Sequence, residues 1–331
     1  MAQRGFSSYG ILKSAGCHIN GLSPLTCSTL WQRMSTPSML YGAELWAGLT
    51  KTELDILERV QRKIGKSIQG LHRRTHNEIV RGLLGWLPIQ AQIDLLKLNF
   101  VFKLMSLDPT SIIKHIFLSQ ILCVMYDNSS TELLHSKSVT LDLWCVIRRY
   151  NMQPHLIEYL TGKPLINKTL WKQISKSAIF SHEEKIYRDT LHHKSAHRFL
   201  RIHNKLSPHP IYSIIRNNMS QRKELMNTIK LLAYPEECDI SICAVWEVEY
   251  KDTVKHYIWN CQGLVNVRCD VLDNILDRMQ ATTEAQLLSK DDNLILDTLL
   301  SKYWSLLREQ NEYIEFTLNT SKELVKLMYV L

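Results

Sequence analysis

Between Pro88 and Leu107 the sequence is apolar almost all the way round a helix, through Ile93, Leu95, Leu96, Leu98, Phe100, Val101, Phe102 and Leu104. A helix without a polar face cannot lie on a surface. It has to be covered on several sides, which places it in the middle of a bundle. Asp108-Pro109 breaks the pattern. The surrounding sequence supplies further helices. Thr50 and Glu53 form a capping box before an amphipathic run over Lys51 to Gln69, and Gly70 is placed to end it. In that run Leu57, Val60, Ile64 and Ile68 share one face, with Leu54 at its edge. Thr75 and Glu78 form a second box before a short helix that Gly85 closes, and helical patterns follow at 111–126 and 131–150.

Beyond Gly162-Lys163-Pro164, a candidate boundary, helices are expected at about 168–180, 182–206 and 211–232, split by Ser207-Pro208-His209-Pro210. The one non-helical patch is about 236–261, where Trp246, Val248 and Tyr250 alternate with Glu247 and Glu249 as in a short strand. Helices resume from about Leu264. The expected fold is mainly α: a helical bundle over 1–162, a basic helical region over 163–235, a small knuckle-like patch over 236–270 and acidic helices over 271–331.

No stretch approaches about 18 uninterrupted apolar residues, so no membrane span or membrane partner is expected. The most apolar run, Ile112 to Tyr126, is broken by Lys114, His115, Ser119 and Gln120. The N-terminus has no apolar signal core, so the expected location is intracellular, nuclear or cytoplasmic. The eight cysteines are then core residues or metal ligands.

Charge is unevenly spread. Residues 1–162 hold 17 Lys+Arg against 11 Asp+Glu, a net of +6; residues 163–230 hold 14 against 4, a net of +10; the remainder holds 9 against 17, a net of −8. The middle can attract a polyanion, unless the acidic end pairs with it. On the helix over 51–69, Arg59, Arg62, Lys63 and Lys66 oppose the apolar face, and Arg73 and Arg74 follow in a turn. These residues, with Arg198 and Arg201, are the candidate contacts to an RNA or DNA backbone; the alternative is an ordinary solvated face.

The Walker A, GxGxxG, HExxH and GxSxG patterns are absent from the sequence. Asp291-Asp292 directly precedes the apolar pattern of Leu294, Leu296, Leu299 and Leu300, and so reads as the acidic first turn of a helix. His193 and His197 share a helical face but lack a third ligand nearby, and read as part of a basic, solvated or phosphate-facing helix. Cys243, His256 and Cys261 are the residue types of a zinc knuckle. Trp246 occupies the position of the usual fourth ligand, leaving Cys238 as a substitute or the knuckle without metal.

The order of these pieces resembles the region downstream of the polymerase active site in LINE-type (non-LTR) retrotransposon reverse transcriptases. Four segments carry it: residues 10–46 with Pro37, Tyr41, Gly42, Glu44 and Trp46; 57–75; 83–104; and 252–268, which in the family ends a Cys-Cys-His-Cys knuckle. The resemblance spans roughly residues 5–270. It implies a thumb and connector that grip a template–primer duplex, and a knuckle that touches RNA or DNA. The family's paired-aspartate hairpin and its endonuclease have no counterpart in this sequence, so the expectation is a non-catalytic fragment of a truncated element that binds nucleic acid. A decayed fragment with no selected function, or an accessory subunit of an intact reverse transcriptase chain that supplies the palm, are the alternatives.

Overall fold

The computed structural model describes residues 1–18, 21–73, 75–126, 138–193, 199–200, 203–213, 226, 229–230, 233, 241–242 and 249–250. Over these residues the chain is mainly helical. The α-helices are α1 (Ala2–Ser14), α2 (Pro24–Leu30), α3 (Thr36–Met39), α4 (Lys51–Gln69), α5 (Asn77–Leu84), α6 (Ile89–Met105), α7 (Ile112–Tyr126), α8 (Val139–Arg149), α9 (Gln153–Leu160) and α10 (Lys168–His193). A π-helical turn at Trp31–Ser35 joins α2 to α3, and a 3-10 turn follows at Ala43–Leu45. A two-residue antiparallel pair, β1 (Ser241–Ile242) with β2 (Glu249–Tyr250), sets Ser241 opposite Tyr250 and Ile242 opposite Glu249. Tyr250 therefore lies in a strand, as its alternation suggests, while Trp246 and Val248 lie outside the described residues. None of the described helices is long and apolar enough to cross a membrane.

The chain divides into two compact units, each built from separated segments. The first comprises Met1–Gly10, Trp31–Gln61 and Leu87–Ile186; the second comprises Ile11–Leu30, Arg62–Trp86 and Tyr187–Leu331. The Gly162-Lys163-Pro164 turn falls inside the first unit.

In the first unit α6 is the central element, packed against the 3-10 turn, α7 and α8. Ile89, Ala91, Ile93, Leu98 and Val101 are fully buried, as an all-round apolar helix requires. Pro88 offers α6 no side-chain cap. Glu58 of α4 supplies one instead: its Oε1 accepts from Ile89 N at 2.6 Å. Two buried polar residues of α6, Asp94 and Lys97, are matched by partners. Asp94, with no exposed surface, accepts from Gln90 Nε2, from Arg149 Nη1 at 2.5 Å and from Tyr150 Oη at 2.9 Å. Lys97 pairs with Asp142. A buried carboxylate holds its charge only with such neighbours. Its own charge in turn helps to push Tyr150 far above the usual tyrosine range, after burial, the larger cause.

In the second unit polar side chains take up backbone groups between helices. Gln69 Nε2 donates to the carbonyls of Gly65 and Val80, both at 3.0 Å, and its Oε1 accepts from Tyr212 Oη. Trp86 Nε1 donates to Ser28 Oγ at 2.6 Å. Gly85 ends α5 at φ 64°, and a Cβ there would lie 2.5 Å from Pro208. The Ser207–Pro210 break is thereby seated on the end of α5, where His209 N donates to Leu83 O at 2.9 Å.

Three boundaries differ from the sequence reading. The helix over 75–85 starts at Asn77, because His76 is its N-cap: Nδ1 accepts from Glu78 N, while the Glu78 carboxylate pairs with Arg81 rather than reaching back. The separate helices expected over 168–180 and 182–206 begin as one helix, α10, running unbroken to His193. Its buried positions Trp171, Ser175, Ile179, Glu183, Tyr187 and Leu191 recur every fourth residue straight through Ser181. The pattern at 131–150 is helical from Val139, where Ser138 caps it; its first part, 131–137, lies outside the described residues.

Candidate nucleic-acid interface

Helix α4 is built from both ends inward. At its start Thr50 N donates to Glu53 Oε2 at 2.8 Å and Glu53 N donates to Thr50 Oγ1 at 3.3 Å, the reciprocal box that satisfies two otherwise orphaned amides. At its end Gly70 takes φ 61°, so that Leu71 N reaches back to Lys66 O at 3.0 Å. Between these caps Leu57, Val60, Ile64 and Ile68 are buried and Leu54 is half-buried.

Burying that face turns the cations outward. Arg59 and Lys63 are exposed, and Arg62 and Lys66 are half-buried. Each is committed to a different degree. Arg59, its side chain 70% exposed, donates to Asp55 Oδ2 at 2.7 Å one turn earlier. An exposed pair of this kind is worth less than about 1 kcal/mol, so a phosphate can displace it. Lys66 donates to the carbonyl of Arg73 at 2.7 Å, tying down the turn after the helix. Burial, and then the adjacent charge of Arg62, hold its pKa below the usual lysine value. Its role as a C-terminal anchor was not part of the expectation, though a lysine in the last turn of a helix is a recognised signal for one. Arg73, also exposed, follows in the same turn.

Thus Arg59, Arg62, Lys63 and Lys66 share the solvent side of one helix, with Arg73 just beyond. Arg74, Arg198 and Arg201 lie outside the described residues. So do Cys238, Cys243, Trp246, His256 and Cys261, the whole of the expected knuckle, and Asp291-Asp292 and His197. Among the described residues there is no group of three His, Cys, Asp or Glu side chains that could hold a metal ion.

Other titratable groups serve the packing. His203 and His209 stack edge to face at 5.1 Å in the second unit. Burial, and then the charge of His203, push His209 down to about 3. His203 Nε2 lies within hydrogen-bond reach of the carbonyls of Gly82 and Ser207. Cys17 and Cys27 are buried, and burial raises the Cys17 thiol while its contact with Cys27 partly offsets the rise.

Comparison of the chain with protein-family models, with curated proteins and with solved structures finds no match.

Proposed function

We propose that this chain is a non-catalytic nucleic-acid-binding protein of the kind that follows the polymerase active site in LINE-type reverse transcriptases, meeting phosphates through the outer face of α4. The observation that carries the reading is the division of that helix: Leu57, Val60, Ile64 and Ile68 are buried on one face, and on the other Arg59 and Lys63 are exposed and Arg62 and Lys66 half-buried. Cations on one helix face can contact phosphates, which gives affinity without base recognition. Arg74, Arg198 and Arg201 extend the same reading, as does a zinc knuckle of Cys238, Cys243, His256 and Cys261, with Trp246 in place of the usual fourth ligand.

The test is binding of the purified chain to a labelled RNA hairpin and a DNA duplex at about 50 mM and about 200 mM salt, with and without added zinc. Binding should be in the micromolar range, insensitive to sequence, and weaker at the higher salt, with a log–log slope of about −3 to −4 for four phosphate contacts on duplex DNA. Arg62→Gln with Lys63→Gln should lower that slope by about two. Affinity that is unchanged between the two salt concentrations would sink the proposal.

A second reading is favoured by α7. Ile112, Ile113, Ile116, Leu122 and Tyr126 are exposed there, an apolar area large for a surface helix. In this reading the chain is an accessory subunit that packs on an intact reverse transcriptase chain. Co-purification with a palm-bearing chain, lost on Ile113→Lys with Ile116→Lys, distinguishes it from the first.

A further inference from the structure

The first unit contains a cleft of about 360 Å³ that no candidate residue of α4 lines; its walls are Asn99, Phe102, Lys103, Ser106, Lys168 and Lys172. Two elements make it. The last two turns of α6 and the residue that caps them bring Asn99, Phe102, Lys103 and Ser106, and the first two turns of α10 bring Lys168 and Lys172. Trp171 joins the two helices: its Nε1 donates to Leu98 O at 3.0 Å, and its ring lies 5.7 Å from that of Phe102.

The charge of the cleft is one-sided. Lys103, Lys168 and Lys172 are all exposed, and among the described residues none of them is in an ion pair. Three cations of this unit, by contrast, have carboxylate partners: Lys97 with Asp142, Arg149 with Asp94 and Lys163 with Glu158. Lys168 also occupies the positive end of a helix whose first turn has no acidic residue. Cations at that position are unfavourable unless an anion joins them. Phe102, largely buried with its ring against that of Trp171, supplies the apolar part of the lining. Asn99 adds a carboxamide oxygen that is buried with no hydrogen-bond partner. Cations and an aromatic side chain lining one groove are how single strands are held: phosphate on the lysines, sugar or base on the ring. A cleft of this volume has room for about one nucleotide and is too small to enclose a duplex.

We propose that this cleft seats a phosphate of a single nucleic-acid strand, with Lys103, Lys168 and Lys172 holding the phosphate and Phe102 underlying the adjacent sugar or base. That the phosphate belongs to nucleic acid rests on the function proposed above; that the cleft takes phosphate rests on the cleft alone. The experiment compares the full chain with two variants, K103Q/K168Q/K172Q and R62Q/K63Q, with folding of each checked by circular dichroism. The probes are a single-stranded RNA of about 12 nucleotides, a DNA duplex, and inorganic pyrophosphate read by thermal shift. The cleft variant should bind the single strand at least about tenfold more weakly, with a salt slope smaller by about two, and should lose the stabilisation by pyrophosphate. Its duplex binding should match that of the unaltered chain, whereas R62Q/K63Q should weaken the duplex. If no nucleic acid binds at all but pyrophosphate stabilises the unaltered chain and not the cleft variant, the function above fails and the phosphate seat stands as a site for a free phosphate compound. Equal single-strand binding and equal stabilisation in the unaltered chain and the cleft variant would overturn the inference.

Discussion

Gly85 and Gly42 share a left-handed backbone, at φ 64° and φ 71°, but differ in what surrounds them. A Cβ at Gly42 would meet nothing within 4 Å, whereas one at Gly85 would lie 2.5 Å from the ring and nitrogen of Pro208. Gly42→Ala should therefore cost only the backbone strain, about 1 kcal/mol. Gly85→Ala should cost about 3 kcal/mol, because the Ser207–Pro210 segment must also move. Urea unfolding of the two variants checks the difference. His209 makes a second residue-scale case. Its folded pKa of about 3 lies below the ordinary histidine value, so below that ordinary value the unfolded chain binds a proton that the folded chain refuses. Its contribution to stability is complete above about pH 6.5 and is lost as pH falls from there towards about 3. Thermal melts should show that loss, and His209→Gln should flatten it while lowering the plateau. A melt series of equal slope in both chains would mean that His209 is not the group responsible.

At the scale of elements, what could be read in advance depended on period and caps. The face of α4 follows from Leu57, Val60, Ile64 and Ile68 together with the Thr50–Glu53 box, and its cations follow by subtraction. The centrality of α6 follows from its want of a polar face. Four helices were not in that reading, and α2 and α3, of seven and four residues, are too short to show a period. In α1 the glycines Gly5 and Gly10 dilute the pattern, and in α9 Pro154 reads as a break, although a proline in the first turn of a helix meets no objection. The cleft at Lys103, Lys168 and Lys172 was not legible for another reason: its residues come from helices far apart in the chain, and tertiary packing alone brings them together. The exposed side of α7 carries its own expectation. Ile113→Lys with Ile116→Lys should raise the monomeric fraction in sedimentation without lowering the melting temperature, since both side chains already face water. A melting temperature lowered by several degrees would show instead that this face is needed for the fold.

For the whole molecule, the charge census is only a beginning. The stretch 163–230 is the most basic part of the chain by count, yet α10 places Trp171, Ile179, Tyr187 and Leu191 in the interior, and only the residues between them can meet a partner. A count of lysines overstates a surface in proportion to how many apolar residues are threaded among them. The chain also passes from one unit to the other at 10/11, 30/31, 61/62, 86/87 and 186/187. No single cut in the sequence separates the units, because each draws segments from both sides of any break between residues 11 and 186. A deletion that spans one of these passages removes residues from both units at once, and a nick in the exposed turn at Asp108-Pro109 leaves two pieces that still need each other to complete the first.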